Sequence, residues 1–316
     1  MKIAPIALFS YNRPELLRDT LISLKENQLS NESDLFIFCD GPKENASASD
    51  LENIKKVRGV AREQKWCRNV TIVEQEKNKG LAASIIGGVS DILSKHESII
   101  IIEDDVALSP FFLDFMNKSL DLYQNEERII AVGSWNYFCA PEKLDQDYFF
   151  FRYPDSIAWA TFARAWKLFE KDAVKLHYEL QEKNRMKAFN GDGEALYFEN
   201  MLKMQIKGQI NSWAIRWTGT SVLHDKLCVF PKETLSKHMG FGADATHEKT
   251  DDYNSHLNLA TRPLHVERVP PQENHVALEE WKTFIRANFI REDTARPGLG
   301  KRIKAGLRRI KNIFHA

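Results

Sequence analysis

Ser98-Ile-Ile-Ile-Ile-Glu-Asp-Asp-Val106 constrains this chain more than any other stretch, because an apolar run ends there in three consecutive acids. Four branched aliphatics in a row have the composition of a strand buried on both faces of a parallel sheet. Three carboxylates at the carboxyl end of such a strand repel one another wherever the dielectric is low. A positive partner is therefore expected, most economically a divalent cation carrying a phosphate. Ligands of open α/β sheets lie in the crevice beyond those strand ends. The residues alone also allow an acidic turn or N-cap cluster, since Asp and Glu favour the positive end of a following helix.

The chain around this strand alternates between extended and helical patterns. Ile3 to Phe9 reads as a first strand, followed by the polar loop Ser10-Tyr-Asn-Arg13. Pro14 stands where a first helical turn begins, and Leu16, Leu17, Thr20, Leu21 and Leu24 recur at helical spacing. Leu35 to Cys39 reads as a second strand closed by the turn signal Asp40-Gly41-Pro42. Residues 50–65 read as a charged helix, and Val70 to Val73 as a third strand. Asn78-Lys-Gly80 opens a small-residue helix from Leu81 to Leu93, and Pro110 to Tyr123 is a further helix. Such alternation predicts a doubly wound, mainly parallel α/β sheet. Right-handed crossovers then place residues 9–13, 40 and 103–105 on one rim.

The second half differs in character. Residues 129–166 are rich in aromatics, among them Trp135, Tyr137, Phe138, Trp159 and Trp166. Most of these are expected in the core; a minority beside a polar rim suit stacking on sugar rings. Residues 167–210 read as helical and charged, then Ser212 to Trp217 carries a tryptophan pair, and Leu227 to Pro231 reads as a strand. The Gly-rich segment His238 to His247 reads either as a flap meeting a charged ligand or as a surface turn. The division expected is 1–125, 126–265 and 266–316.

Composition narrows the partners. Lys plus Arg and Asp plus Glu each total 44 in 316 residues, so no global field points to nucleic acid. Cys39, Cys67, Cys139 and Cys228 are widely spaced, which suits a reducing compartment and no disulfide framework. No run reaches the about 18 apolar residues of a membrane span, and Ala4 to Phe9 is too short for a signal core. The expectation is a cytoplasmic protein. Between Gly298 and Ala316, Ile303, Leu307, Ile310 and Phe314 recur at helical spacing among six Lys and Arg residues. That pattern suits either peripheral contact with an anionic membrane or a helix packed on its own domain.

Four segments, in order, resemble the GT-A nucleotide-sugar glycosyltransferases. They are Pro5-Ile-Ala-Leu-Phe-Ser-Tyr-Asn-Arg-Pro14, Phe38-Cys-Asp-Gly41, Asn78-Lys-Gly-Leu81 and Ile102-Glu-Asp-Asp-Val106. The nearest patterns are the bacterial hemolytic-protein-like sugar transferases and, in architecture, the animal N-acetylglucosaminyltransferases of the first N-glycan branch. The resemblance covers about residues 3–250. It implies a GT-A fold and a Mn²⁺ or Mg²⁺ ion bridging a donor diphosphate. By position, Asp105 binds the metal, Asp104 meets the ribose hydroxyls, and Glu103 orients nucleotide or sugar. Arg13 and Lys79 face phosphate, Asp40 meets base or ribose, and Ser10, Tyr11 and Gly80 complete the donor loops. For an inverting reaction a carboxylate of raised pKa must take the acceptor proton. Asp192, after an Ala-Phe pair like that of the animal enzymes, is the first choice for this base; Glu194 and Glu199 lie on the same segment. An N-cap before the next helix is the other reading of Asp192. Relatives carry an Asp near the tryptophan motif where this chain has Asn211 and Ala214. Trp135, Trp213 and Trp217 are acceptor-site candidates, although core packing accounts equally well for the last two. His247 is a metal or phosphate candidate, and His238 reads as an ordinary solvent-facing histidine. The implied function is transfer from a UDP-sugar to a glycan or lipid-linked glycan in surface polysaccharide or lipopolysaccharide synthesis. A sugar-nucleotide nucleotidyltransferase and a non-catalytic binding relative stand as alternatives. The first of these wants a Gly-rich basic loop after strand one, which Ser10 to Arg13 lacks.

Overall fold

The computed structural model describes residues 1–239 and 257–289. The first half builds β1 (Ile6–Ser10), α1 (Pro14–Lys25), β2 (Asp34–Cys39), α2 (Ala48–Arg62), β3 (Asn69–Glu74), α3 (Leu81–Leu93) and β4 (Ser98–Glu103). Next come β5 (Val106–Leu108), α4 (Phe112–Tyr123), β6 (Ile129–Gly133), β7 (Tyr148–Phe151) and β8 (Ala158–Phe162). The short α5 (Ala163–Trp166), α6 (Ala173–Glu182), α7 (Met186–Phe189), α8 (Tyr197–Ile206) and α9 (Trp213–Leu223) follow. The described elements end with β9 (Leu227–Pro231), β10 (Ser236–His238) and α10 (His275–Phe289).

Eight strands form one sheet in the order β3-β2-β1-β4-β8-β6-β9-β7, flanked by helices. The half of the sheet that carries the sequence signals is all parallel: β1 pairs with β2 and β4, and β2 with β3. Beyond β4 the sheet is mixed, because β8 runs antiparallel to both β4 and β6, and β7 antiparallel to β9. Ile99 to Ile102 are fully buried, as a strand covered on both faces requires. The first strand starts at Ile6 rather than Ile3. Pro5 has no N–H to donate, and its carbonyl accepts from Ile100 N at 2.9 Å just outside the ladder.

Register fixes what meets at the carboxyl rim. Phe9 lies opposite Glu103 and Phe38, so the ends of β1, β2 and β4 are level. Ile102 pairs with Ala158, Trp159 with Gly133, and Pro231 with Tyr148. The start of β8, the ends of β6 and β9 and the start of β7 therefore share that rim. A separate two-stranded ribbon, β5 with β10, stands beside it.

Candidate functional site at the carboxyl rim of the sheet

Glu103, Asp104 and Asp105 leave β4 at this rim with all three side chains buried. Three buried acids need compensation, and the chain supplies it from two distant segments. The first is the loop after β1. Pro14 starts α1 and leaves Arg13 just ahead of the helix, from where its guanidinium spans two carboxylates. Nη2 lies 2.5 Å from Asp104 Oδ1, and Nη1 lies 2.5 Å from Asp105 Oδ2. Tyr11 N–H donates to Asp104 Oδ2 at 3.3 Å. The second segment is β10. Its antiparallel ladder sets His238 opposite Val106, which brings His238 Nε2 to 3.2 Å from Asp105 Oδ2. Met239 N–H donates to the Asp105 carbonyl at 2.7 Å, and Val106 N–H donates to Thr20 Oγ1 at 3.0 Å. The acidic turn is thus clamped from α1 on one side and from β10 on the other.

Electrostatics separates the three acids. Burial pushes Glu103 well above the usual carboxylate range, and the neighbouring Asp105 charge adds to this. Burial also raises Asp104, with Arg13 pulling the other way. Burial opposes ionisation of Asp105 too, but His238 and Arg13 together outweigh it and hold that carboxyl far below its ordinary value. Two buried oxygens, Glu103 Oε1 and Asp105 Oδ1, have no hydrogen-bond partner among the described residues. Buried polar atoms are rarely left this way, and these two belong to one acidic turn at the rim, where a ligand would complete them. Among the described residues no three His, Cys, Asp or Glu side chains gather as a closed metal cage. A small hard cation does not need one. One carboxylate oxygen completed by water and phosphate suffices for Mg²⁺-type binding, and Asp105 Oδ1 fits that part.

Asp40 sits on the same rim but is otherwise engaged. Its Oδ1 accepts from Gly41 N (2.8 Å) and Lys79 N (2.9 Å), and its Oδ2 from Asn78 Nδ2 (3.0 Å) and Gly80 N (2.9 Å). A carboxylate offers about four acceptor sites, and four donors take them. The expected contact with base or ribose is replaced by a clasp that holds the 78–80 loop against the end of β2. Local backbone requires the glycines here. A Cβ at Gly41 would stand 2.6 Å from Lys77 backbone atoms, and Gly80 has φ +74°. Lys79 enters the clasp through its N–H while its side chain is exposed. Ser10 is buried, its hydroxyl 3.8 Å from Cys39 Sγ, and half-buried Tyr11 has Lys43 Nζ 5.6 Å from its ring centre.

A further buried aspartate at the rim carries no sequence signal. Asp155 Oδ2 accepts from Ser134 and Trp135 N–H, and Oδ1 from Ser156 and Ile157 N–H, all at 2.7–3.1 Å. It ties the end of β6 to the start of β8, and burial pushes its carboxyl up to about 6. Only the non-local pairing of the two strands creates that role. His238 escaped for the same reason: the expectation of a solvent-facing histidine fails because β10 pairs with a strand more than 100 residues earlier.

The catalytic candidates from residues 187–199 are placed differently from the triplet. Asp192 lies in a tight turn with φ +58°, not at a helix N-cap. Lys282 Nζ is 2.9 Å and Arg152 Nη1 3.5 Å from its carboxylate. Burial nudges its pKa up, but Lys282, Arg152 and Lys187 outweigh this and lower it. A base needs the opposite shift. Arg152 follows Phe151, at the end of β7 that points away from the triplet. Among the described residues, no hydrogen bond or ion pair joins Asp192 to residues 103–105. Glu194 pairs with Arg286 at 3.1 Å, and Glu199 is held by Lys203 and by Asn190.

The acceptor tryptophans are likewise corrected. Trp213 stacks on Trp159 at 5.0 Å, and Trp217 lies 5.1 Å from Trp166 and 5.9 Å from Phe169. Both are buried, so neither presents a face to a sugar. Trp135 lines a cavity of about 30 Å³ with Tyr153, Asp155, Phe198 and Trp281. That space suits a water rather than a sugar ring. Asn211 Oδ1 accepts from Arg216 Nη2 at 3.2 Å. His247 and the basic tail 298–316 lie outside the described residues.

The sequence model of the GNT-I family matches residues 1–171, just over half of the 316. The chain belongs to the GNT-I family. It is a glycosyltransferase of GT-A fold, and the matched segment contains β1 to β8 with the acid triplet and Arg13. Solved structures similar to this GNT-I family member include the Pyrobaculum calidifontis mannosyltransferase PcManGT with GDP-Man and Mn²⁺. That match has 15% identity and TM-score 0.36, covering 54% of this chain and 46% of that one. The galactosyltransferase LgtC with donor and acceptor sugar analogues matches at 11% identity and TM-score 0.35, covering 57% and 64%. Mycobacterium tuberculosis glucosyl-3-phosphoglycerate synthase with Mn²⁺, UDP and glucosyl-3-phosphoglycerate matches at 12% and 0.33, covering 53% and 58%. The chain thus spans about half the length of the mannosyltransferase. Among curated proteins no sequence matches it.

Proposed function

We propose that this GNT-I family glycosyltransferase moves a sugar from a nucleoside diphosphate donor, a UDP-sugar, in a reaction that uses Mn²⁺ or Mg²⁺. The observation that carries the reading is a buried acidic triplet at the carboxyl rim, braced by Arg13 and His238, with Glu103 Oε1 and Asp105 Oδ1 left without partners. Asp105 Oδ1 is the atom that would hold the metal, because Arg13 and His238 engage the other oxygen and leave this one without a protein partner among the described residues. When bound, a divalent cation neutralises the charge that develops on the departing diphosphate. Glu103 Oε1, buried and without a partner among the described residues, would accept a hydrogen bond from a hydroxyl of the donor. Asp104, with its oxygens on Tyr11 N–H and Arg13, orients the loop after β1 and keeps lone pairs for a ribose hydroxyl. Asp40 and Asp155 position the two loops that border the triplet.

The acceptor we propose is a glycan or lipid-linked glycan of surface polysaccharide or lipopolysaccharide synthesis, met at the cytoplasmic face of a membrane. Support comes from the basic amphipathic pattern of residues 298–316 in the sequence. A thermal-shift panel of nucleotide sugars with and without Mn²⁺ tests the donor reading. One nucleoside diphosphate sugar should raise Tm only when Mn²⁺ is present, in proportion to the logarithm of its concentration over Kd. Stabilisation by a nucleoside triphosphate with a sugar phosphate, and by no nucleotide sugar, would favour the nucleotidyltransferase instead.

A further inference from the structure

We propose that Arg13 is the resident counter-cation of the acidic triplet and transfers to the donor diphosphate, so that one side chain couples metal binding to nucleotide binding. The proposal rests on the donor-site reading above. Apart from His238, Arg13 is the one cationic side chain among the described residues that forms an ion pair with residues 103–105. Its fork is not bidentate on a single carboxylate. One nitrogen goes to Asp104 and the other to Asp105, which is how a single cation holds two repelling anions together.

The burial is lopsided. The Asp104 and Asp105 side chains are 3% and 1% exposed, whereas that of Arg13 is 40% exposed. The carboxylates are fixed in the protein, and the guanidinium covers them from the solvent side. A planar five-donor fork in that position matches phosphate oxygens as well as it matches carboxylates. The Arg13 backbone is anchored, its carbonyl accepting from Leu17 N at 3.0 Å at the start of α1. Only the side chain has to swing.

Competition follows from the geometry. Asp105 offers one oxygen to Arg13 and His238 and leaves the other, also buried, without a partner among the described residues. A cation held by that oxygen would share a carboxylate with the guanidinium, and two positive centres on one carboxylate repel. Arg13 therefore weakens binding of a divalent cation until a diphosphate gives it another partner. Linkage makes the effect reciprocal: what Arg13 costs the metal, it returns when the nucleotide draws it away.

The test titrates Mn²⁺ by electron paramagnetic resonance, with and without UDP and in a parallel arm GDP, on the full chain. The variants are Arg13→Gln and Arg13→Lys, each checked by thermal unfolding; should the Gln variant unfold, the Lys variant, which keeps the charge but reaches one carboxylate only, carries the test. The expected results for Arg13→Gln are Mn²⁺ binding alone at least tenfold tighter than wild type and nucleotide binding alone at least tenfold weaker. The enhancement of Mn²⁺ affinity by nucleotide should shrink at least tenfold, and Arg13→Lys should fall between. If wild-type enhancement is present but indifferent to both variants, the coupling role is overturned while the donor site stands. If wild type binds no Mn²⁺ even with nucleotide, the donor-site reading falls and the coupling with it.

Discussion

Replacing Asp40 by Ala separates a nucleotide contact from a structural clasp. Three of the four donors on its carboxylate come from the 78–80 loop: Lys79 N, Gly80 N and Asn78 Nδ2, at 2.9, 2.9 and 3.0 Å. Hydrogen bonds to a charged acceptor contribute about 1.5–3 kcal/mol each before the freed donors find water. The loop is half exposed, so rehydration recovers part of that. We expect Asp40→Ala to cost about 3 kcal/mol in a denaturant titration. Asp40→Asn keeps one carbonyl acceptor but turns an N–H₂ toward two of the donors, and should cost about 2 kcal/mol. Nucleotide affinity should fall only as far as the loop loosens. A stability loss below about 1 kcal/mol together with a large loss of nucleotide binding would refute the clasp and restore the contact first expected from the sequence.

Asp192→Asn should leave sugar transfer within a few-fold of wild type in a donor-turnover assay, because Lys282 and Arg152 already hold that carboxylate in its charged form. Abolished transfer with intact donor binding would reinstate Asp192 as the base. Trp217→Ala, which opens a hole among Trp159, Trp166 and Phe169, should cost about 3–5 kcal/mol of stability by calorimetry or denaturant. A stable variant with a raised acceptor KM would count for the acceptor role instead. Acid sensitivity should appear at Asp147, which Arg262 holds down to about 2, against burial and with help from His265 N–H. Its folded value lies below the ordinary 3.8, so its contribution is present above pH 3.8 and is lost as pH falls toward 2. Because Arg262 is about half exposed, we expect about 1 kcal/mol there, removed by Arg262→Ala; an unchanged acid limb would contradict it.

The parallel half of the sheet was legible because each of its elements is local. Leu35 to Cys39 and Ile99 to Ile102 announce buried strands, and Pro14 and Gly80 mark helix starts that the structure places within a residue. The convergence of residues 10–13, 40 and 103–105 then follows from handedness. What stayed hidden depends on pairing over long separations. Nothing near Ser236 to His238 signals that this short segment lies against Val106 to Leu108, so the partner of Asp105 could not be read. Asp155 is silent for the same reason, its four donors coming from the segments after β6 and before β8, which only the fold brings together. The tryptophan pair at i, i+4 misled in the usual direction, since such spacing marks a buried helix face as readily as a binding one. The sequence neighbours of Asp192 suggest a base, but its cations come from β7's end and α10, far along the chain.

Anomalous diffraction from crystals grown with Mn²⁺ and a nucleoside diphosphate addresses the central assignment most directly. A manganese peak should appear in coordination distance of Asp105 Oδ1 and of the diphosphate, and should vanish in Asp105→Asn crystals. A bound nucleotide with no peak there, or a peak held by other side chains, would contradict the account.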